Sequence, residues 1–552
     1  MKREYLLLAM IAALFLVLRL PGVELPLHQD EYKWPQIVNP AYVSETEIPH
    51  PPLSQFIYAL AGKVTGYDVH LRFVPLTFGL INLFLLWYWM RHRFGPREAL
   101  LGALFFALSF YSVLASLMVD TDGQILPFFL LIALIAYERA QEWNTRAKWW
   151  SFVLVAACVA GFFVKTSFVL VIGALMLDFL WERRTRLPLR TLAWYALYAA
   201  CAVVALLLLL ILAQKAFPFF NLRASLSYWE HFASLHHNWF QTAIQVVKAC
   251  FYLSPFLVLM PVLVTRDIVC RTRPLFFFVG LGLFFYLILF DFSVGALDRY
   301  LQFLVIPLVV WAVLIVARIR WEGRFLRAAC GAGVVVAVVL LYVQFFPHSV
   351  PSLYPKADWI GRITHFHWAM LYPFSGGSGP LTFYMSFLFI ALIWCVSVAA
   401  VVLARWKTEW RVAAVSFLVP LALVYNGMFT EEYLAGAVNG FAPGLVERSV
   451  SFIAQNPDIQ RVVVYNDNGG AEVQAIGKYE KRLYTSPDFN WNDKAKTMNA
   501  FSGHYLVIDA PPVDPNSFFA KYFATCQVVY SDTSRAMTAK VYDCRKAPKI
   551  QL

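Results

Sequence analysis

Apolar residues recur along the first 430 positions in runs of about 17 to 25, the length a helix needs to cross about 30 Å of hydrocarbon. Short basic clusters separate the runs: "RHRFGPR" (91–97), "ERAQEWNTRAK" (138–148), "ERRTRLPLR" (182–190), "TRDIVCRTR" (265–273), "RIRWEGRFLR" (318–327) and "RWKTEWR" (405–411). Excess Lys and Arg in short loops marks the cytoplasmic side of a membrane protein. If all six clusters share that side, each stretch between them crosses the bilayer twice. Residues 149–181 test the idea, because at 1.5 Å per residue they make about 50 Å of helix. That is too long for one span and short for two. We read two short helices meeting at "FFVKTSF", with Lys165 at the outer mouth.

The pattern predicts about thirteen spans, from 4–21 to 412–429 and including one at 381–404. The N-terminus lies inside and the C-terminus outside. The basic start "MKREYLLLAM" has the look of a signal peptide, but no small-residue cleavage site follows, so it reads as a retained first helix. Loops 22–70, 118–122, 214–240, 292–299 and 347–380 then face the exterior. Within the first, "PLSQFIYALAGKV" (52–64) is apolar on one face and too short to span, which suits an amphipathic juxtamembrane helix.

The period changes after about residue 430. Strand-length runs "RVVVYN", "HYLVIDA", "QVVYS" and "TAKVYDC" alternate with helical segments such as "GLVERSVSFIAQ". The expected organisation is a transmembrane domain over 1–430 and a small exterior (periplasmic) α/β domain over 431–552. Cys526 and Cys544 stand at opposite ends of the final predicted hairpin, and a disulfide between them is plausible in an oxidising compartment.

Composition agrees with the pattern. Apolar residues are 60% of the 552 and charged residues 14%, against roughly half and a quarter in soluble domains. The fold class is a polytopic α-helical membrane protein. A net charge of +12 raises nucleic acid as a partner, but its placement between spans argues for the lipid bilayer instead.

The candidate chemistry lies in the exterior loops. "HQDEYKWP" puts Asp30 and Glu31 straight after the first span; a solvated interfacial pair is the plain reading. Acids recur, however, at Asp120 and Asp122 in a loop too short to leave the membrane surface, where carboxylates are costly and often functional. Exterior cations stand at the same depth: Lys165, and Arg299 opening a span in "LDRYLQF". Each alone reads as a snorkelling anchor. Acids and cations together suit a lipid-phosphate substrate, with cations on the phosphate and an acid acting as base. His50 in "IPHPPLSQF" sits in extended backbone before two prolines. The histidines in "YWEHFASLHHNWF" do not share one helical face, which argues against a metal site there. No Walker or Rossmann fingerprint is visible.

In order and sidedness these residues resemble the GT-C superfamily of polyprenyl-phosphate-sugar-dependent glycosyltransferases. The nearest likeness is to the protein O-mannosyltransferases and the lipid A aminoarabinose transferase. The resemblance rests on Asp30-Glu31, His50-Pro51-Pro52, Arg72 in "LRFVPLTFGL", Asp122 in "TDGQILPFF", and Arg299-Tyr300. It implies a GT-C fold and an inverting transfer of a sugar from a polyprenyl-phosphate donor to an acceptor hydroxyl on the outer face of a plasma (inner) membrane. Asp30 would be the base, with Glu31 and Asp122 as further catalytic acids. His50, Arg72, Lys165, Arg299 and Tyr300 would bind substrate. A divalent metal on Asp30 and Glu31 stays open, and no other cofactor is implied. Eukaryotic protein mannosyltransferases insert a large domain in a central exterior loop; here that loop is only 214–240. A protein acceptor is thereby less favoured, and glycan, lipid and protein all remain in view.

Three rivals stay open. One is a transporter or flippase of a lipid-linked substrate, although no internal repeat supports it. Another is an O-antigen ligase or polymerase-like enzyme working through the loop 347–380, which contains His348, Arg362, His365 and His367. The third is an accessory membrane protein with the C-terminal domain as a binding module.

Overall fold

The computed structural model describes the chain except residues 1, 29, 40–50, 143–145, 184–188, 218–219, 224, 226, 228–229, 231–236, 292–296, 320–322, 353–355, 375–380, 407, 467, 484–490 and 552. It packs as two compact units, Met1–Val23 with Trp34–Glu322, and Glu24–Lys33 with Gly323–Leu552. This division follows packing. The division at 430 follows composition and stands as our proposal for where the exterior domain begins.

Among the described residues, seven helices are long and apolar enough to cross a membrane, and the bent pair Pro96–Leu108 and Phe110–Ser116 makes an eighth candidate. Shorter apolar helices occupy Val203–Ala216, Arg273–Leu289 and Leu301–Val316. Length alone therefore does not reproduce the thirteen expected spans. Several expected spans fall short as continuous helices: Ile125–Gln141 has 17 residues and Val169–Arg183 has 15.

The first unit contains most of the helices, and their ends sort by charge. Glu4 pairs with Arg91 at 2.7 Å, Arg93 with Glu138 at 3.6 Å, and Arg273 with Glu182 at 3.1 Å. Arg97 donates to the Ile319 carbonyl, and Arg318 to Thr265 Oγ1. Five of the six basic clusters and the N-terminus thus meet at one end of this unit, as a shared side requires. The 149–181 stretch breaks where expected. Helix Ala147–Val164 stops at Lys165, a short 3-10 turn Thr166–Phe168 follows, and Val169–Arg183 runs back.

The bend at Ser109 has a local cause. Its backbone is extended (φ −64°, ψ 122°), so the two helices meet at 68°. A break in hydrocarbon leaves carbonyls without intrahelical donors, which is costly unless they are met otherwise. Arg19, fully buried, supplies the donors: its guanidinium reaches Ala107 O at 3.0 Å, Phe15 O at 3.1 Å and Ser112 Oγ at 3.1 Å.

In the second unit, helices Arg324–Val343, Phe387–Trp406 and Thr408–Leu434 pack together. The expected span at 381–404 begins as a strand. β1 (Leu371–Phe374) pairs antiparallel with β2 (Phe383–Ser386), and helix starts only at Phe387, where Ser386 Oγ accepts the Phe389 N–H at 3.2 Å. "FYMS" is aromatic and finds a strand partner in "LYPF", so local pairing prevails over continued helix.

The C-terminal sheet contains β3 (Val462–Tyr465), β4 (Tyr479–Leu483), β5 (His504–Asp509), β6 (Gln527–Ser534) and β7 (Met537–Asp543), in the order β4-β3-β5-β7-β6. β3 is parallel to β4 and β5; β7 is antiparallel to β5 and β6. Side chains alternate between faces with period two. Val462, Val464, Leu506 and Ile508 pack with Leu445 and Ile453 of helix Ala442–Gln455. Val463, Tyr465, Tyr505 and Val507 pack with Phe519, Tyr522 and Phe523 on the other face. Leu371, Leu381 and Tyr384 join the first of these cores. Cys526 and Cys544 form a disulfide with Cα atoms 4.7 Å apart.

Candidate functional site

Two groups of predicted residues emerge, one in each unit. In the first unit, the loop between helices Phe110–Ser116 and Ile125–Gln141 carries Asp120 and Asp122, both buried. Asp122 forms an ion pair with Lys165 at 2.5 Å, and both side chains are about 5% exposed. The lysine of this pair stands at the helix break, directly after helix Ala147–Val164. Arg299 lies 3.4 Å from Asp120. Tyr300 is flanked by both cations, with Lys165 Nζ 4.5 Å and Arg299 5.3 Å from its ring centre. Tyr286 stacks on Tyr300 at 5.5 Å with nearly parallel rings. The Tyr58 hydroxyl, on the juxtamembrane helix Pro52–Thr65, donates to the Asp120 carbonyl at 2.8 Å. Burial holds the Asp120 carboxyl above the usual carboxylate range, with Arg299 pulling the other way.

Beside these charges is a cavity of about 650 Å³, counted out to its open mouth, with Asp122, Ser167, Tyr286, Tyr300 and Gln302 on its walls. The rest of its lining is largely aliphatic and phenyl, including Leu126, Phe278 and Phe303. Gln302 is 3% exposed, and both of its amide atoms lack a hydrogen-bond partner among the described residues. Burying an amide unmet costs about 1–3 kcal/mol, so a ligand with a hydroxyl would find both donor and acceptor ready. Arg72 is buried at the start of helix Phe73–Arg93 and donates to Val23 O at 3.4 Å.

In the second unit, Asp30 opens helix Asp30–Val38. Acids in the first turn favour the helix dipole, which explains why they sit well there without assigning them a role. Asp30 is half-buried and pairs with Lys33. Glu31 is buried and accepts the His28 N–H at 3.2 Å, while its own N–H donates to the His28 carbonyl at 3.0 Å. The neighbouring carboxylates thus occupy different surroundings, one reaching solvent and one turned into protein. Among the described residues, no group of three or more His, Cys, Asp or Glu could hold a metal ion. His50 lies outside the described residues. Arg362, named by the ligase reading, pairs with Asp358 of its own helix, and His365 Nδ1 lies 2.7 Å from the Gly361 carbonyl.

Sequence reasoning found Asp122, Lys165, Arg299 and Tyr300, which the fold brings together. It missed Tyr58, Tyr286 and Gln302, which carry no motif. The Asp-x-Asp spacing held a signal for Asp120 as partner of a second cation, Arg299.

The comparisons divide by region and by length. Residues 49–211 match the family model for dolichyl-phosphate-mannose-protein mannosyltransferase. ArnT from Cupriavidus metallidurans in the apo state aligns over 99% of both chains with TM-score 0.55 and 13% identity. The same protein bound to undecaprenyl phosphate aligns over 98% of this chain and 97% of its own, with TM-score 0.55 and 14% identity. No curated protein matches the chain in sequence. The chain therefore has the GT-C fold of ArnT along nearly its whole length, and over residues 49–211 it is similar in sequence to the dolichyl-phosphate-mannose-protein mannosyltransferase family.

Proposed function

We propose that the protein is an inverting glycosyltransferase that moves a sugar from a polyprenyl-phosphate donor to an acceptor hydroxyl on the outer face of a plasma membrane. Asp30 takes the acceptor proton, and the resulting alkoxide attacks the anomeric carbon. The bond from that carbon to the phosphate oxygen breaks, and the polyprenyl phosphate leaves as an anion. Lys165 and Arg299 hold that anion, so charge neutralisation replaces a general acid. Glu31, Asp122 and His50 orient the acceptor and base, Arg72 and Tyr300 line the donor's path, and Gln302 meets a sugar hydroxyl. No step is routed through a metal.

The observation that carries this reading is the set Asp120, Asp122, Lys165 and Arg299, the first three buried and Arg299 12% exposed, beside a cavity lined by a few polar and many apolar side chains. Such a cavity fits a molecule that is charged at one end and oily along its length, the chemistry of the lipid that ArnT has been solved with. The formal charges of the four side chains cancel. An arriving phosphate is therefore retained only when an acid is displaced or protonated, and the raised Asp120 pKa favours protonation. The orientation we propose has the N-terminus and basic clusters in the cytoplasm and the sheet domain outside.

The test is sugar transfer in nanodiscs, with a panel of polyprenyl-monophosphate sugars and membrane extract as acceptor. Wild type transfers label, and Asp30→Asn loses about 10²–10⁴ of the rate at unchanged melting temperature. Equal transfer by both removes Asp30 from the mechanism.

A further inference from the structure

The loop that carries Asp30 and Glu31 does not pack as a simple continuation of the first span. Residues Glu24–Lys33 cluster with Gly323–Leu552, the unit that contains the exterior sheet. A direct link is the hydrogen bond that the Leu27 N–H donates to Glu472 Oε1 at 3.0 Å. Leu25, Leu27 and His28 are buried around it, at 7%, 5% and 1% exposure.

The location of Glu472 is informative. It is the third residue of helix Gly470–Ala475, which leaves the carboxyl end of β3 through a turn at Asn466–Gly469. The chain runs from β3 to β4 on one side, then crosses back to β5 on the other, all three parallel. That reversal makes the carboxyl ends of β3 and β5 a topological switch point, the edge where open α/β sheets receive ligands. Asn468 Nδ2 bridges this edge to the Ile508 carbonyl at 3.4 Å, and Thr382 Oγ1 reaches the Ala510 carbonyl at 3.0 Å. In this protein the residue beside that edge grips the chain's own backbone.

The grip passes to the acids through a short rigid path. His28 and Glu31 exchange hydrogen bonds, His28 N–H to Glu31 Oε2 and Glu31 N–H to His28 O. Asp30 lies inside that closed turn. Fixing Leu27 therefore fixes where the turn begins, and with it the direction of the Asp30 carboxylate. A carboxylate acceptor makes a stronger hold on an N–H than a neutral group would.

We infer that Glu472 is a positioning residue for the Asp30-Glu31 turn, so that the exterior domain forms part of the catalytic apparatus. The inference rests on the proposed role of Asp30 as base. It predicts a separation of kinetic effects. Misplacing a reacting group by about 1 Å costs on the order of 10²-fold in rate, whereas donor affinity depends on other residues.

The experiment compares full-length wild type, Glu472→Ala and Glu472→Gln in nanodiscs. Four quantities are read: kcat and donor KM for transfer, melting temperature, and amide exchange over 24–33. Glu472→Ala lowers kcat about 10- to 100-fold with KM and melting unchanged, and it loses protection at the Leu27 amide. Glu472→Gln keeps an acceptor oxygen and recovers most of both. Wild-type kcat in Glu472→Ala, or equal losses in Ala and Gln, overturns the inference. Absence of transfer in every protein, wild type included, sinks the reading of Asp30 instead. Exchange then still decides the anchor: unchanged Leu27 protection in Glu472→Ala refutes it.

Discussion

Replacing Lys165 by Met removes the cationic half of an ion pair whose two side chains are about 5% exposed. The methionine fills most of the lysine's volume, so the perturbation is chiefly electrostatic. Asp122 is left in a buried loop without its partner, and stranding one member of a buried pair costs about 3–5 kcal/mol. Tyr300 also loses the cation 4.5 Å from its ring, worth about 0.5–2 kcal/mol. The reciprocal change, Asp122→Leu, strands the ammonium and should cost about as much. In the double variant neither charge remains, and an apolar pair of similar volume is often neutral or better. The expected order of stability is wild type near the double variant, with both singles well below. Denaturant or thermal unfolding in nanodiscs gives the coupling free energy from the full cycle, expected at about 3 kcal/mol or more. Transfer activity separates structure from chemistry, because the double variant should be stable and inactive. Single variants as stable as wild type would refute the desolvated pair. An active double variant would remove Lys165 and Asp122 from catalysis.

Two further outcomes concern the second unit. Gly333 lies where helix Arg324–Val343 meets Thr408–Leu434, and a Cβ there would stand 2.4 Å from the Phe417 carbonyl oxygen. Gly333→Ala should therefore lower stability by about 1–3 kcal/mol through overpacking, read as a lower melting temperature, and a neutral result would show that the helices separate freely. Cys526→Ser opens a disulfide closing a separation of 18 residues, which should cost about 3 kcal/mol; proteolysis of the C-terminal sheet with and without reductant measures it, and equal resistance would contradict that figure.

Much of this molecule follows from order along the chain. Span-length apolar runs dictate helices because a backbone in hydrocarbon must satisfy its own hydrogen bonds. Basic clusters dictate which helix ends lie together, and the contacts of Glu4, Arg93, Arg97, Arg273 and Arg318 bear that grouping out. The break at Lys165 was legible because one cation interrupts two apolar runs. β3, β5, β6 and β7 were legible as strand-length apolar runs between helical segments. β4 was not: "YEKRL" is a polar edge strand, half-exposed along most of its length, and has no apolar period to read.

The site divides in the same way. Sequence alone determined the kinds of groups available, acids and cations in short loops between apolar runs, because charge beside an apolar run is visible residue by residue. Only tertiary structure decided which of them pair. Asp122 meets Lys165 across 43 positions, and Leu27 meets Glu472 across 445. Neither meeting has a local signal, since the energy of a buried pair depends on a partner and a dielectric that exist only once the distant segments have packed.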